Sequence, residues 1–140
     1  MKFDLILRVG TKLMLPFILI FAPYVHFHGD YGPGGGFQAG VIIAAAFILY
    51  AMVFGLDAAK RIAPQSAIDR LLPVGVLIFA AAGLPAIVSG QGRFLDFGVY
   101  GQDFLHAHEW GILIVETGVI VTVASTMLAI FYAFADRGRQ

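Results

Sequence analysis

The chain has 140 residues, of which 59% are hydrophobic and 13% charged, with equal numbers of basic and acidic side chains. Soluble domains run at roughly 45–50% apolar and about 25% charged, so a water-facing globule of this length is excluded and a chain dissolved in a bilayer is implied. Zero net charge gives no basic surface for nucleic acid, and the absence of cysteine excludes disulfides, thiolate metal ligands and a cysteine nucleophile.

A transmembrane helix needs about 20 predominantly apolar residues. Four stretches qualify: about 5–28, 37–57, 71–90 and 109–135. The expected fold is all-α, one transmembrane domain over residues 1–140 with four spanning helices. Within the first stretch the apolar run from about Leu13 follows Lys2, Arg8 and Lys12 as a signal peptide's would. No Ala-x-Ala pattern comes after it and Pro23 stands directly behind Ala22, so it reads as a retained helix. Pro16 and Pro23 in the first helix, and Pro73 and Pro85 in the third, predict kinks that neighbouring helices tolerate in a membrane.

From Phe37 to Leu56 the second stretch carries no charge. It opens with Pro33, Gly34, Gly35, Gly36 and Phe37, where glycine permits backbone angles closed to other residues. Such a turn bares amide N–H groups at a positive helix terminus and packs closely on something. Gly34-x-Gly36-x-x-Ala39 mimics a dinucleotide fingerprint, but no strand precedes it and no acidic residue follows at the right distance. No lysine follows the glycines, which excludes a P-loop. Gly36, Gly40 and Ala44, then Ala51 and Gly55, keep small side chains on one face. Such a face serves close helix packing, within the chain first and between subunits second.

From Trp110 to Ala135 the fourth stretch is broken by a single charge, Glu116. Gly111, Gly118, Ser125 and Tyr132 recur every seven residues along it. Glu109 and Glu116 are also seven apart, about 10 Å along a nearly opposite face. Neither face suits lipid, which predicts a helix sandwiched in a larger assembly.

Basic residues set the orientation. Lys2, Arg8, Lys12, Lys60, Arg61, Arg70, Arg137 and Arg139 fall on one side of the four spans and Arg93 alone on the other. The positive-inside rule places both termini in the cytoplasm.

Glu116 is the first candidate for chemistry. A charge inside a membrane helix is costly unless paired, protonated or wetted, and intramembrane acids mark ion and proton pathways. His106, His108 and Glu109 cluster just before it in a long loop, residues 91–109, expected to cap the outer mouth. Their spacing is not His-Glu-x-x-His and no further ligand is placed, so they read as titrating groups at the mouth of a path, with no metal site. His26 and His28 end the first helix on the same side and read as interfacial hydrogen bonders. Asp30, Asp96 and Asp103 read as solubilising loop acids. No serine–histidine–acid set exists.

The run Pro33-Gly34-Gly35-Gly36-Phe37-Gln38-Ala39-Gly40 at the entry to a charge-free helix resembles the MnhB-like component of the multisubunit cation/proton antiporters called Mrp, Mnh or Pha. Asp57-x-x-x-Arg61 after the second helix agrees, as do Gly111-Ile112-Leu113 and Glu116-Thr117-Gly118-Val119 in the last. The resemblance covers about Leu5 to Phe134. It departs at Gly29-Asp30-Tyr31, where many members have Gly-His-Asn, so no role of that histidine carries over.

The resemblance implies a non-catalytic subunit of a hetero-oligomer in a bacterial or archaeal cell membrane. Its partners would be other antiporter subunits and the lipid bilayer. It would hold no cofactor, with Na+ and H+ as the transported ions. The complex would resemble part of the membrane arm of respiratory complex I. On this reading Glu116, with Glu109, His106 and His108, belongs to the ion pathway, and the Pro33–Phe37 turn with Gly40 shapes an interface. Related MnhB-like subunits occur in ion-pumping membrane hydrogenase complexes. A purely structural scaffold subunit and a stand-alone homo-oligomeric transporter are the competing readings.

Overall fold

The computed structural model describes residues 2–29, 34–88, 94, 95, 97 and 104–138, and the side chains of these except residues 2, 3 and 104–107. The helices are α1 (Lys2–Phe27), α2 (Gly36–Phe54), α3 (Leu56–Ile62), α4 (Gln65–Val88) and α5 (Phe104–Arg137), and no strand occurs among the described residues. With no water to hydrogen-bond backbone groups, apolar segments in a bilayer satisfy their amides internally as helices. α1, α2, α4 and α5 are each long and apolar enough to cross a membrane. Large side chains such as Phe17, Ile20, Leu77 and Val88 point outward along them. The chain is a multi-pass membrane protein.

Two features depart from the spans read in the sequence. α2 stops at Phe54 because Gly55 takes φ 94° and ψ 153°, a conformation essentially restricted to glycine. The chain then restarts as α3, whose Asp57 in the first turn and Lys60 and Arg61 in the last complement the helix dipole. Pro64 separates α3 from α4, and its carbonyl accepts the Ala67 and Ile68 amides at 3.0 and 3.2 Å to open the next helix. At the other end, α5 starts at Phe104, inside the stretch read as a capping loop.

The most extensive pairings are α4 with α5, α2 with α5, and α1 with α2. The spanning helices therefore stand in the order α1, α2, α5, α4. Glycines set the spacing. A Cβ on Gly118 would stand 2.8 Å from the Phe79 amide nitrogen and 2.9 Å from the Gly75 carbonyl oxygen, so α4 and α5 touch backbone to backbone. A Cβ on Gly40 would stand 3.0 Å from the Ile120 carbonyl oxygen and 2.9 Å from the Val123 side chain. Farther along, Ala44 joins Ile68, Leu128 and Tyr132 in one buried cluster.

The small-residue face of α2 thus serves packing inside the chain, against α5. The heptad face of α5 is buried throughout, at Gly111, Gly118, Ser125 and Tyr132. The small-residue face of α5 is filled by this chain's own helices, and its glutamate face is covered by the α1–α2 end at Glu116 while Glu109 stays exposed.

Candidate functional site

The site is built where α1 ends, α2 begins and α5 passes both. α1 frays at its last turn, with the His28 amide donating to the Tyr24 carbonyl at 3.0 Å and the Gly29 amide to the His26 carbonyl at 3.3 Å. The Gly35 amide donates back to the Val25 carbonyl at 3.2 Å, tying the start of α2 to the end of α1. Gly35 has φ 128° and ψ 179°, again a glycine-only conformation.

What the glycine turn packs on is Glu116. A Cβ on Gly36 would collide with the Glu116 carbonyl oxygen. A Cβ on Gly35 would stand 3.0 Å from Glu116 Oε1, and one on Gly29 3.3 Å from the same atom. Gly35 is the N-cap of α2 and has no side chain to cap the helix. The Glu116 carboxylate occupies the space where a capping side chain would stand. Unsatisfied amides and the positive end of the α2 dipole face that position and favour negative charge there.

The other oxygen faces α1. Glu116 Oε2 lies 3.4 Å from His26 Nδ1, with the side chains 25% and 7% exposed. The ring-plane direction at Nδ1 misses the carboxylate, and Nδ1 is buried without a hydrogen-bond partner. The contact is an ion-pair distance without a hydrogen bond.

The family model describing a domain related to the MnhB subunit of a Na+/H+ antiporter matches residues 6–129. The chain belongs to the MnhB family. Among its relatives is the putative antiporter subunit mnhB2 of Staphylococcus haemolyticus, 33% identical over 131 residues, covering 86% of this chain and 91% of that one. The Na(+)/H(+) antiporter protein of the same subunit type from Bacillus subtilis is 36% identical over 109 residues, covering 77% of this chain and 66% of its own length. A putative antiporter subunit mnhB2 of Staphylococcus epidermidis is 27% identical over 139 residues, 94% of each chain.

The remaining candidates of this MnhB-family chain are dispersed. Glu109 is exposed, two turns above Glu116 and about 10 Å from it along the helix. His108 is half-buried and meets the Phe97 ring edge-on at 5.8 Å, and Phe97 in turn packs onto Gly111. The side chain of His106 and the whole of Pro33 lie outside the described residues. Phe37 is exposed and points away from the turn it ends, while Gly34 packs onto the Val25 carbonyl. Among the described residues no group of three or more His, Asp or Glu converges as a metal ion would need.

His26 is the residue that sequence reasoning did not bring to the site. It reads as an interfacial histidine until the buried face of α1 is known. That face carries Thr11, Ala22 and His26. Eleven- and four-residue steps repeat one helical face, so small and polar residues at that spacing on an otherwise bulky helix were the available signal.

Proposed function

We propose that this MnhB-family chain is a membrane subunit of a multisubunit antiporter that exchanges protons for a monovalent cation, sodium by the name of its relatives, and that Glu116 lies on or gates the ion path. The transport is secondary active, driven by an ion gradient, and the chain itself catalyses no reaction. The observation that carries the reading of the site is the Glu116 carboxylate, set within a spanning helix and enclosed by His26 and the glycine turn. Inward-facing acids of membrane helices belong to ion and proton pathways by their cost alone.

Family membership and the antiporter names of the relatives support the antiporter setting over a hydrogenase-type complex. Cytoplasmic termini are supported by the gathering of basic residues at one end of the fold. There Arg8 and Lys12 of α1 stand 6.0 and 5.6 Å from the Phe54 ring that ends α2. Lys60 of α3 pairs with Asp136 at the same end.

The test is sodium-dependent proton flux in inverted membrane vesicles carrying the complete complex, wild type against Glu116→Gln, with assembly followed by native electrophoresis. Loss of at least about 90% of flux with intact assembly, about 1.4 kcal/mol of barrier or more, is the expected outcome. Full flux in an assembled Glu116→Gln complex would make the chain a scaffold and move the ion path to its partners.

A further inference from the structure

His26 Nδ1 is the buried side-chain atom among the described residues that has no hydrogen-bond partner. A Glu116 carboxylate oxygen lies 3.4 Å from it. A buried polar atom left unsatisfied is disfavoured, so the pair is incomplete without something between the two groups. Two kinds of occupant have the right charge, an alkali cation and a proton.

The surroundings discriminate between them. A hard cation takes a shell of oxygen ligands, and an imidazole nitrogen is a poor member of such a shell. The Glu116 oxygen away from His26 is already crowded by the Gly29 and Gly35 backbones, where even a single added carbon would stand 3.3 and 3.0 Å away. Among the described residues no group of three or more His, Asp or Glu converges there to supply such a shell. A proton needs none, and a small rotation of the imidazole brings Nδ1 into hydrogen-bond range.

We propose that His26 and Glu116 together hold one exchangeable proton, forming a proton-binding site assembled across α1 and α5. This rests on the reading of Glu116 as part of the ion path. With the proton bound the pair is neutral. The Nδ1 lone pair takes the carboxyl proton to give imidazolium and carboxylate, the return step reverses it, and no other bond forms or breaks. Without the proton the pair carries one negative charge, which the N-terminus of α2 at Glu116 Oε1 accommodates.

Several groups surround the pair. The turn and α2 offer glycine backbone and the neutral Gln38 amide, whose Oε1 lies 3.6 Å from the Cβ position of Gly35. α5 offers Thr117, whose hydroxyl donates to the Leu113 carbonyl, and, two turns away, the exposed Glu109. α1 offers His28, which is exposed and stacked on Tyr24 at 5.4 Å.

The experiment measures the pH profile of sodium-dependent proton flux in vesicles carrying the full complex, for wild type, His26→Gln, Glu116→Gln and the double variant. A pair takes its first proton with a constant that is the sum of its two sites, so deleting either site weakens proton binding. His26→Gln is expected to move the pH midpoint to lower pH. The double variant is expected to match Glu116→Gln alone, since the two residues act as one unit.

An unmoved midpoint in an assembled His26→Gln complex, beside lost flux in Glu116→Gln, overturns the pair and leaves the Glu116 reading standing. Retained flux in Glu116→Gln overturns both. A changed sodium KM in His26→Gln without a midpoint shift makes the site a cation site and overturns the proton. Should His26→Gln fail to assemble, pH-difference infrared spectra of the wild-type and Glu116→Gln complexes decide. Carboxyl and imidazole bands that titrate together with one midpoint, and vanish with Glu116, support the pair. Bands that titrate separately, or none, overturn it.

Discussion

The two ends of the molecule each carry an acid–base pair, and the pairs are built on opposite plans. At the α3 end, Lys60 Nζ donates to both Asp136 oxygens at 2.7 Å, with the side chains 29% and 51% exposed. The same ammonium stands 5.5 Å from the Tyr132 ring, and the Tyr132 hydroxyl donates to the Ala63 carbonyl at 3.1 Å. At the glycine-turn end, His26 and Glu116 are more deeply buried, yet they stay 3.4 Å apart without a hydrogen bond.

The exposed pair closes because long side chains in water find their geometry freely. The buried pair stands open by a small rotation of the imidazole, its backbones held by helix contacts that leave no room for a Cβ. A short distance therefore marks the tether here, and a longer one marks the group held ready for something else.

The comparison breaks first at Gly36. Gly36→Leu drives side-chain atoms into the Glu116 carbonyl and is expected to cost about 3 kcal/mol, the upper range for overpacking. Native electrophoresis of the complex should show most of the assembled form lost. Wild-type assembly would mean the turn does not rest on α5.

Tyr132→Phe tests the opposite end. It removes one hydrogen bond to Ala63 and keeps the ring, for an expected cost of about 1 kcal/mol. That should appear as a small drop in the thermal midpoint of the complex with flux intact. Lys60→Ala is expected to be smaller still, at most about 1 kcal/mol and less in high salt, because the pair is exposed and screened. A Lys60→Ala complex that assembled fully but lost flux would erase the distinction between the two ends.

The spanning helices were legible because a bilayer leaves an apolar chain few alternatives, and the burial of Gly111, Gly118, Ser125 and Tyr132 follows the heptad. The glycine run was legible as a close contact, though its partner was not, since composition does not say which helix passes behind a turn. His26 was hidden for a related reason: a histidine at a helix end looks the same whichever way the helix faces. α3 escaped because its seven residues, set between Gly55 and Pro64, carry too few apolar positions to register as an element against four long spans. The two special faces of α5 were legible, and this chain itself supplies α4 against Gly118 and the α1–α2 end against Glu116.

The length of α5 bears on how the site senses the membrane's electrical state. Its 34 residues extend about 51 Å, against a hydrocarbon core of about 30 Å. Asp136, exposed with Lys60, marks one boundary, and Glu116 lies about 30 Å along the helix from it. That places Glu116 close to the far boundary. A full crossing of the membrane is worth about 2.3 kcal/mol per unit charge at 100 mV. A charge reaching Glu116 from the nearer aqueous phase traverses only a small part of that field. For the proton site proposed at Glu116, occupancy would follow the composition of the water on that side, and the voltage would act on the remainder of the crossing.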